Sequence, residues 1–171
     1  MIVEATEAMM TKIFLVLAIV GLHIMPAWAE GPATPDACKL VSGADVTAAL
    51  GAGFQLVDNP LAAKLAKNSE YSGCLYRKEG SGTVAIAILR TSSGAKAAVI
   101  GRQESQRRAG RSVTPVPGLC EAAFVLVISP KKTNVVAAKG TWQVETEVTM
   151  AGKPDAPAAQ KLAKVVCSRL P

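Results

Sequence analysis

"TWQVETEVTM", Thr141–Met150, alternates along its whole length. Trp142, Val144, Thr146 and Val148 fall on one side of an extended chain, and Gln143, Glu145 and Glu147 on the other. A period of two predicts a strand with one buried face and one face toward water, the habit of antiparallel sheets. The stretches before it agree. NVVAAK (134–139) leads into Gly140 and predicts a partner strand, while EAAFVLVI (121–128), broken by Ser129-Pro130-Lys131-Lys132, predicts a buried one. Upstream, YSGCLYRK (71–78) and TVAIAILR (83–90) flank the turn sequence Glu79-Gly-Ser-Gly82, which predicts a hairpin. SVTPVPG (112–118) reads as an extended, proline-punctuated connector.

Helix signals lie between these strand groups. Ser42-Gly-Ala-Asp45 matches a capping box, with Val46, Ala49 and Leu50 following and Gly51 closing. Asn59-Pro60 supplies a cap and a first position for a second short helix over 60–68. Ser92 or Ser93 is placed to cap a helix running from Gly94 to about Ala109, with Gly110 ending it. The segment from Pro154 to Leu170 carries Ala158, Leu162, Val165 and Val166 at helical spacing. Hairpins and meanders with helices at intervals predict an α+β domain: an antiparallel sheet with helices packed on it. A chain of 171 residues suits one such core.

The N-terminus reads as a targeting segment. Lys12 precedes the apolar run from Ile13 to Leu22, and Ala27-Trp28-Ala29 follows as an A-x-A site. Those are the three parts of a secretory signal peptide over residues 1–29, with translation starting at Met1, Met9 or Met10. The run is about half the ~20 residues that span a bilayer, so no transmembrane anchor is expected after cleavage. Residues 30–37 read as a flexible, proline-containing leader, and 38–171 as the single domain. The expected location is periplasmic or secreted.

Removing residues 1–29 leaves 18 basic and 11 acidic residues, a formal charge of +7, and takes away His23. The mature chain then has no histidine, which excludes a His general base, a Ser-His or Cys-His pair and any His-containing metal site. No cofactor and no metal are expected. Aromatic residues make up 4% of the chain, too few for stacking platforms, so nucleic acid is not an expected partner.

Cys38, Cys74, Cys120 and Cys167 remain, an even number with no C-x-x-C. In an exported chain this predicts two disulfides and neither a redox motif nor a zinc knuckle. Four cysteines allow three connectivities, among which the sequence does not choose. The favoured pairing is Cys38–Cys74 with Cys120–Cys167. The first would tie the start of the first helix to an early strand; the second would tie the Pro117-Gly118 turn to the C-terminal helix.

ACKLVSGADVTAALG (37–51), CLY (74–76), VPGL (116–119) with EAAF (121–124), and KLAKVVCSRL (161–170) form a series along the mature chain. This series resembles small bacterial exported proteins and lipoproteins of a family without assigned function, and more distantly the extracellular sensor domain of a bacterial serine/threonine kinase. The resemblance implies a sheet-plus-helices fold outside the cytoplasm and no catalytic residue. The chain departs from that pattern at Cys120, where Gly is expected, and at Cys167, where an apolar or small residue is common. Two departures that are both cysteine support the second bridge.

Three sets of residues carry candidate chemistry. Ser93-Gly-Ala-Lys96 matches the S-x-x-K of penicillin-binding enzymes, but the companion motifs are missing, and a helix cap accounts for Ser93. Glu145 and Glu147 share a strand face about 7 Å apart, a spacing open to paired-carboxylate hydrolysis, but an exposed strand face is the favoured account of them. Arg102, Arg107, Arg108, Arg111, Lys131 and Lys132 form a candidate anion-binding surface. The expectation is a non-enzymatic exported domain that binds a ligand or partner at the cell envelope. That partner is an anionic envelope component or another envelope protein. A small hydrolase using the carboxylates or the Ser93/Lys96 pair is one alternative. A basic surface binder of anionic lipid or cell-wall polymer is the other.

Overall fold

The central seam of the sheet joins two strands far apart in sequence, Gly82–Arg90 and Trp142–Met150, paired antiparallel along their whole length. The computed structural model describes residues 33–58, 70–92 and 94–171. In chain order the described elements are α1 (Ala37–Leu40), α2 (Gly43–Leu50), β1 (Gln55–Leu56), β2 (Tyr71–Lys78), β3 (Gly82–Arg90), α3 (Ala95–Arg108), β4 (Ser112–Pro115), β5 (Ala122–Ser129), β6 (Lys132–Lys139), β7 (Trp142–Met150), β8 (Lys153–Pro154) and α4 (Ala156–Arg169). The sheet runs β1-β2-β3-β7-β6-β5-β4, with β8 beside the end of β7. Two sequential blocks, β1–β3 and the meander β4–β7, are thus joined by α3 and close on each other at β3 and β7. The expected signal peptide and the short helix over 60–68 lie outside the described residues.

One face of this sheet carries α1, α2 and α4. Val84, Ile86, Ile88, Val135, Ala137, Val144 and Val148 from the strands meet Ala159, Leu162, Ala163 and Val166 from α4, all 2% exposed or less. The other face carries α3, over a smaller cluster of Ala95, Val99, Phe124, Leu126, Val136 and Ala138. This is the α+β fold that the alternation predicts, an antiparallel sheet with helices packed on it.

The predicted disulfides are both present, Cys38–Cys74 and Cys120–Cys167, closing loops of 36 and 47 residues. In the chain-entropy account each loop contributes on the order of 4 kcal/mol by constraining the unfolded chain. Around the first bridge the chain is ordered earlier than the leader reading has it. Asp36 caps α1 by accepting from the Cys38 N–H at 2.9 Å. Ala37 is fully buried, and its N–H donates to Ser72 Oγ at 2.9 Å.

Three local expectations give way to tertiary context. The N-cap of α3 is Gly94, at φ 84° with no side-chain cap, rather than Ser92; the Ala95 N–H is satisfied instead by Gly140 O at 3.0 Å. Ser93 lies outside the described residues. The connector at 112–118 begins as a true edge strand, Ser112–Pro115 pairing with β5. A proline is tolerated there because an edge strand has one side with no ladder to serve. Pro154 pairs with Thr149 in β8, and α4 starts after its own cap, Asp155, which accepts from the Ala158 N–H at 3.0 Å. The Gly82 position allows no side chain: a Cβ there would sit 2.8 Å from Met150 Sδ and 3.0 Å from Thr149 O.

Candidate functional site

The face of β7 predicted to be wet is mostly covered. Gln143 is 8% exposed and the Glu145 side chain 19%, because α3 crosses above them. Arg102, on α3, reaches down to Glu145 with both guanidinium nitrogens, Nη1 to Oε1 and Nη2 to Oε2, the second at 3.2 Å. Gln143 Nε2 donates to the same carboxylate at 2.9 Å and Asn134 Nδ2 at 3.4 Å. Polar residues alternate on β7 here because they answer one another and a helix, not because they face bulk water.

Beside this network the face is open. The helix that covers β4–β6 stops short of β2 and β3, where register sets Gly73 and Ala87 alongside Glu145, and Leu75 and Ala85 alongside Glu147. Small side chains keep the floor low. The result is a groove of about 290 Å³ with Tyr71, Ala85, Ala87 and Leu89 on one side and Lys132, Asn134, Glu145 and Glu147 on the other. Burial, and then the charge of Glu145, push the Tyr71 hydroxyl above its ordinary range, so it stays protonated. Asn134 Oδ1 is buried and has no hydrogen-bond partner, an unanswered acceptor at the groove.

The two carboxylates do not form a free pair. Glu145 is saturated by Arg102, Gln143 and Asn134, and Glu147 faces Lys132 at 3.4 Å. A hydrolytic dyad needs one carboxyl free to hold a proton and one free to act as base or nucleophile. Neither carboxyl is so disposed. Lys96 is exposed on the first turn of α3. Among the described residues no group of three or more His, Cys, Asp or Glu side chains is placed to hold a metal ion.

The predicted anion-binding residues divide. Arg102 is turned under α3 onto Glu145 and leaves the surface set. The other five gather at one end of the sheet. Arg107 and Arg108 close α3, Arg111 follows three residues later, and Ser112 pairs with Val127 just before the Ser129–Lys132 hairpin that carries Lys131 and Lys132. The sequence could not place the two groups side by side, since 20 residues separate Arg111 from Lys131.

The groove residues Tyr71 and Asn134 were not candidates on sequence. Only register reveals Asn134, opposite Glu147 across the β6–β7 pair. No protein-family model matches this chain, and no curated protein or solved structure matches it either. Among the described residues, no helix is long and apolar enough to cross a membrane. Two intrachain disulfides fit a chain that folds in an oxidising compartment.

Proposed function

We propose that this chain is exported to the periplasm or the cell exterior and acts there as a non-catalytic binding domain, with the open groove on the α3 face as its ligand site. The observation that carries the reading is the groove itself, about 290 Å³ with small residues on its floor and polar residues along one side. Such a groove suits a small ligand with an apolar part and a few polar groups. Ala85, Ala87 and Leu89 would take the apolar part of the same ligand. The ion pairs around it are already closed, which suits recognition by shape and hydrogen bonding and leaves no side chain free for proton transfer.

The test separates binding from turnover. Purified mature protein is incubated with envelope extract, and the small molecules or peptides it retains are compared with those retained by Ala87→Trp, which fills the groove from a half-buried strand position on its floor. Retention by the wild type and its loss in Ala87→Trp is the expected result. Breakdown of envelope material by the wild type, abolished in Glu147→Gln, would overturn the reading in favour of a hydrolase.

A further inference from the structure

The β5–β6 hairpin ends in two features that nothing in the domain uses. Val127 and Ile128 are each 38% exposed at the end of β5, although every other apolar residue from Ala122 to Leu126 is at least partly buried. A register shift between Val127 and Ser129 bulges the strand at Ile128, so both side chains lie past the reach of the two flanking apolar clusters. Immediately beyond them come Pro130, Lys131 and Lys132. Alongside, through the Ser112–Val127 pair, stand Arg111 and the end of α3 with Arg107 and Arg108.

Five cations therefore lie at the same end of the sheet as two exposed aliphatic side chains. Two carboxylates answer them in part: Glu104 bonds Arg107 at 3.2 Å and Arg108 at 3.0 Å, and Glu147 bonds Lys132 at 3.4 Å. Arg111 and Lys131 have no carboxylate partner among the described residues. The patch keeps an excess of three positive charges at a projecting tip. A soluble polyanion would be served by the cations alone. An aliphatic pair beside the cations suits a partner with an apolar layer beneath its negative charge.

We infer that this end of the domain docks on an anionic phospholipid surface, with Arg111, Lys131 and the flanking arginines at the headgroups and Val127 and Ile128 entering the interface below them. Binding of this kind sums a small buried apolar area and an attraction of several cations, so it is reversible and falls with salt. It does not rest on the groove, whose lining shares only Lys132 with the five cations of this patch.

The test is co-sedimentation of the full mature protein with vesicles of phosphatidylcholine alone or mixed with phosphatidylglycerol. Binding to the mixed vesicles only, weakened by added salt, is expected. R111E/K131E is expected to lose at least about ten-fold in affinity, since each cation near such a surface is worth roughly five-fold. V127S/I128S keeps every charge and is expected to lose several-fold. Ala87→Trp is expected to bind as the wild type does, which separates this inference from the groove. An I128W variant is expected to shift its emission to the blue on adding the mixed vesicles, above the fixed background of buried Trp142. No binding, equal binding to neutral vesicles, or full retention by V127S/I128S would overturn the inference. Retention of that last kind, with loss to soluble polyphosphate, would mark a polymer site instead.

Discussion

The two faces of the sheet are built on different principles. The α4 face is mostly apolar, its buried Thr146 hydroxyl answered by Ala159 O, and it is covalently pinned. Cys120 holds the Pro117-Gly118 corner to α4, Cys38 holds α1 to β2, and Arg169 at the end of α4 makes a bidentate pair with Asp45 of α2 at 2.7 and 2.8 Å. The α3 face has one helix, a small apolar cluster and a polar seam around Glu145. A face that is fully covered and stapled can hold the fold by itself. The other face is then free to stay half open, and both the groove and the basic tip lie on it or at its end.

The largest effect follows from the staples. C120A/C167A is expected to lose on the order of 4 kcal/mol in urea unfolding, with most of the change in the midpoint. If the α4 face dominates stability, this loss exceeds anything obtained by loosening α3. A loss under about 1 kcal/mol would remove the contrast between the faces.

Arg102→Ala tests the weaker face. It leaves the mostly buried Glu145 carboxylate with only Gln143 and Asn134, and a loss of about 1–2 kcal/mol is expected, below that of a fully buried pair because Arg102 is 29% exposed. The sharper readout is amide exchange. Protection is expected to drop along α3 and stay unchanged along α4, since the two helices share no cluster. A uniform drop would show that the faces unfold as one.

Much of the α4 face was legible in the sequence, and the reason is physical. Its strands alternate, the Ser42–Asp45 box forms as read, and four cysteines with no C-x-x-C announce staples. The α3 face was not. Gln143, Glu145 and Glu147 look solvent-bound on β7 alone, because their partners Arg102 and Asn134 come from other elements, 43 and 11 residues away for Glu145. Ser92 and Ser93 look like caps because local propensity cannot show that Gly140 O waits for the Ala95 N–H. Alternation reports that a face is polar; it does not report whether the polarity is matched by water or by protein.

Acid sharpens the comparison further. Arg169 first, and then Ser42, hold the Asp45 carboxyl well below the usual carboxylate range. A carboxyl depressed on folding lends stability that is complete above its unfolded pKa of about 4 and is lost as the pH falls below that. Wild-type protein is therefore expected to show a falling urea midpoint as the pH drops from about 5. Asp45→Asn is expected to start about 1 kcal/mol lower at neutral pH, having lost a capping-box partner, and to fall less steeply in acid. Parallel curves for the two proteins would place the acid sensitivity elsewhere, with Glu145 on the α3 face next to be tested.

The smallest effect concerns the backbone under Cys120. Its φ is 56°, in the left-handed region that a residue with a Cβ enters at a cost of about 1–2 kcal/mol. Glycine enters the same region without that cost. The corner is also bonded to α4 through Cys167, with Cys120 Sγ 3.9 Å from Ala163 O. Once the bridge is removed, the strain remains without its compensation. C120G/C167A is therefore expected to be more stable than C120A/C167A, by roughly 0.5–1 kcal/mol after allowing for the freer unfolded chain that glycine brings. Equal stability would mean that the corner leaves the left-handed region when the bridge is gone. The disulfide, and not the Pro-Gly turn, would then set the path of the chain into β5.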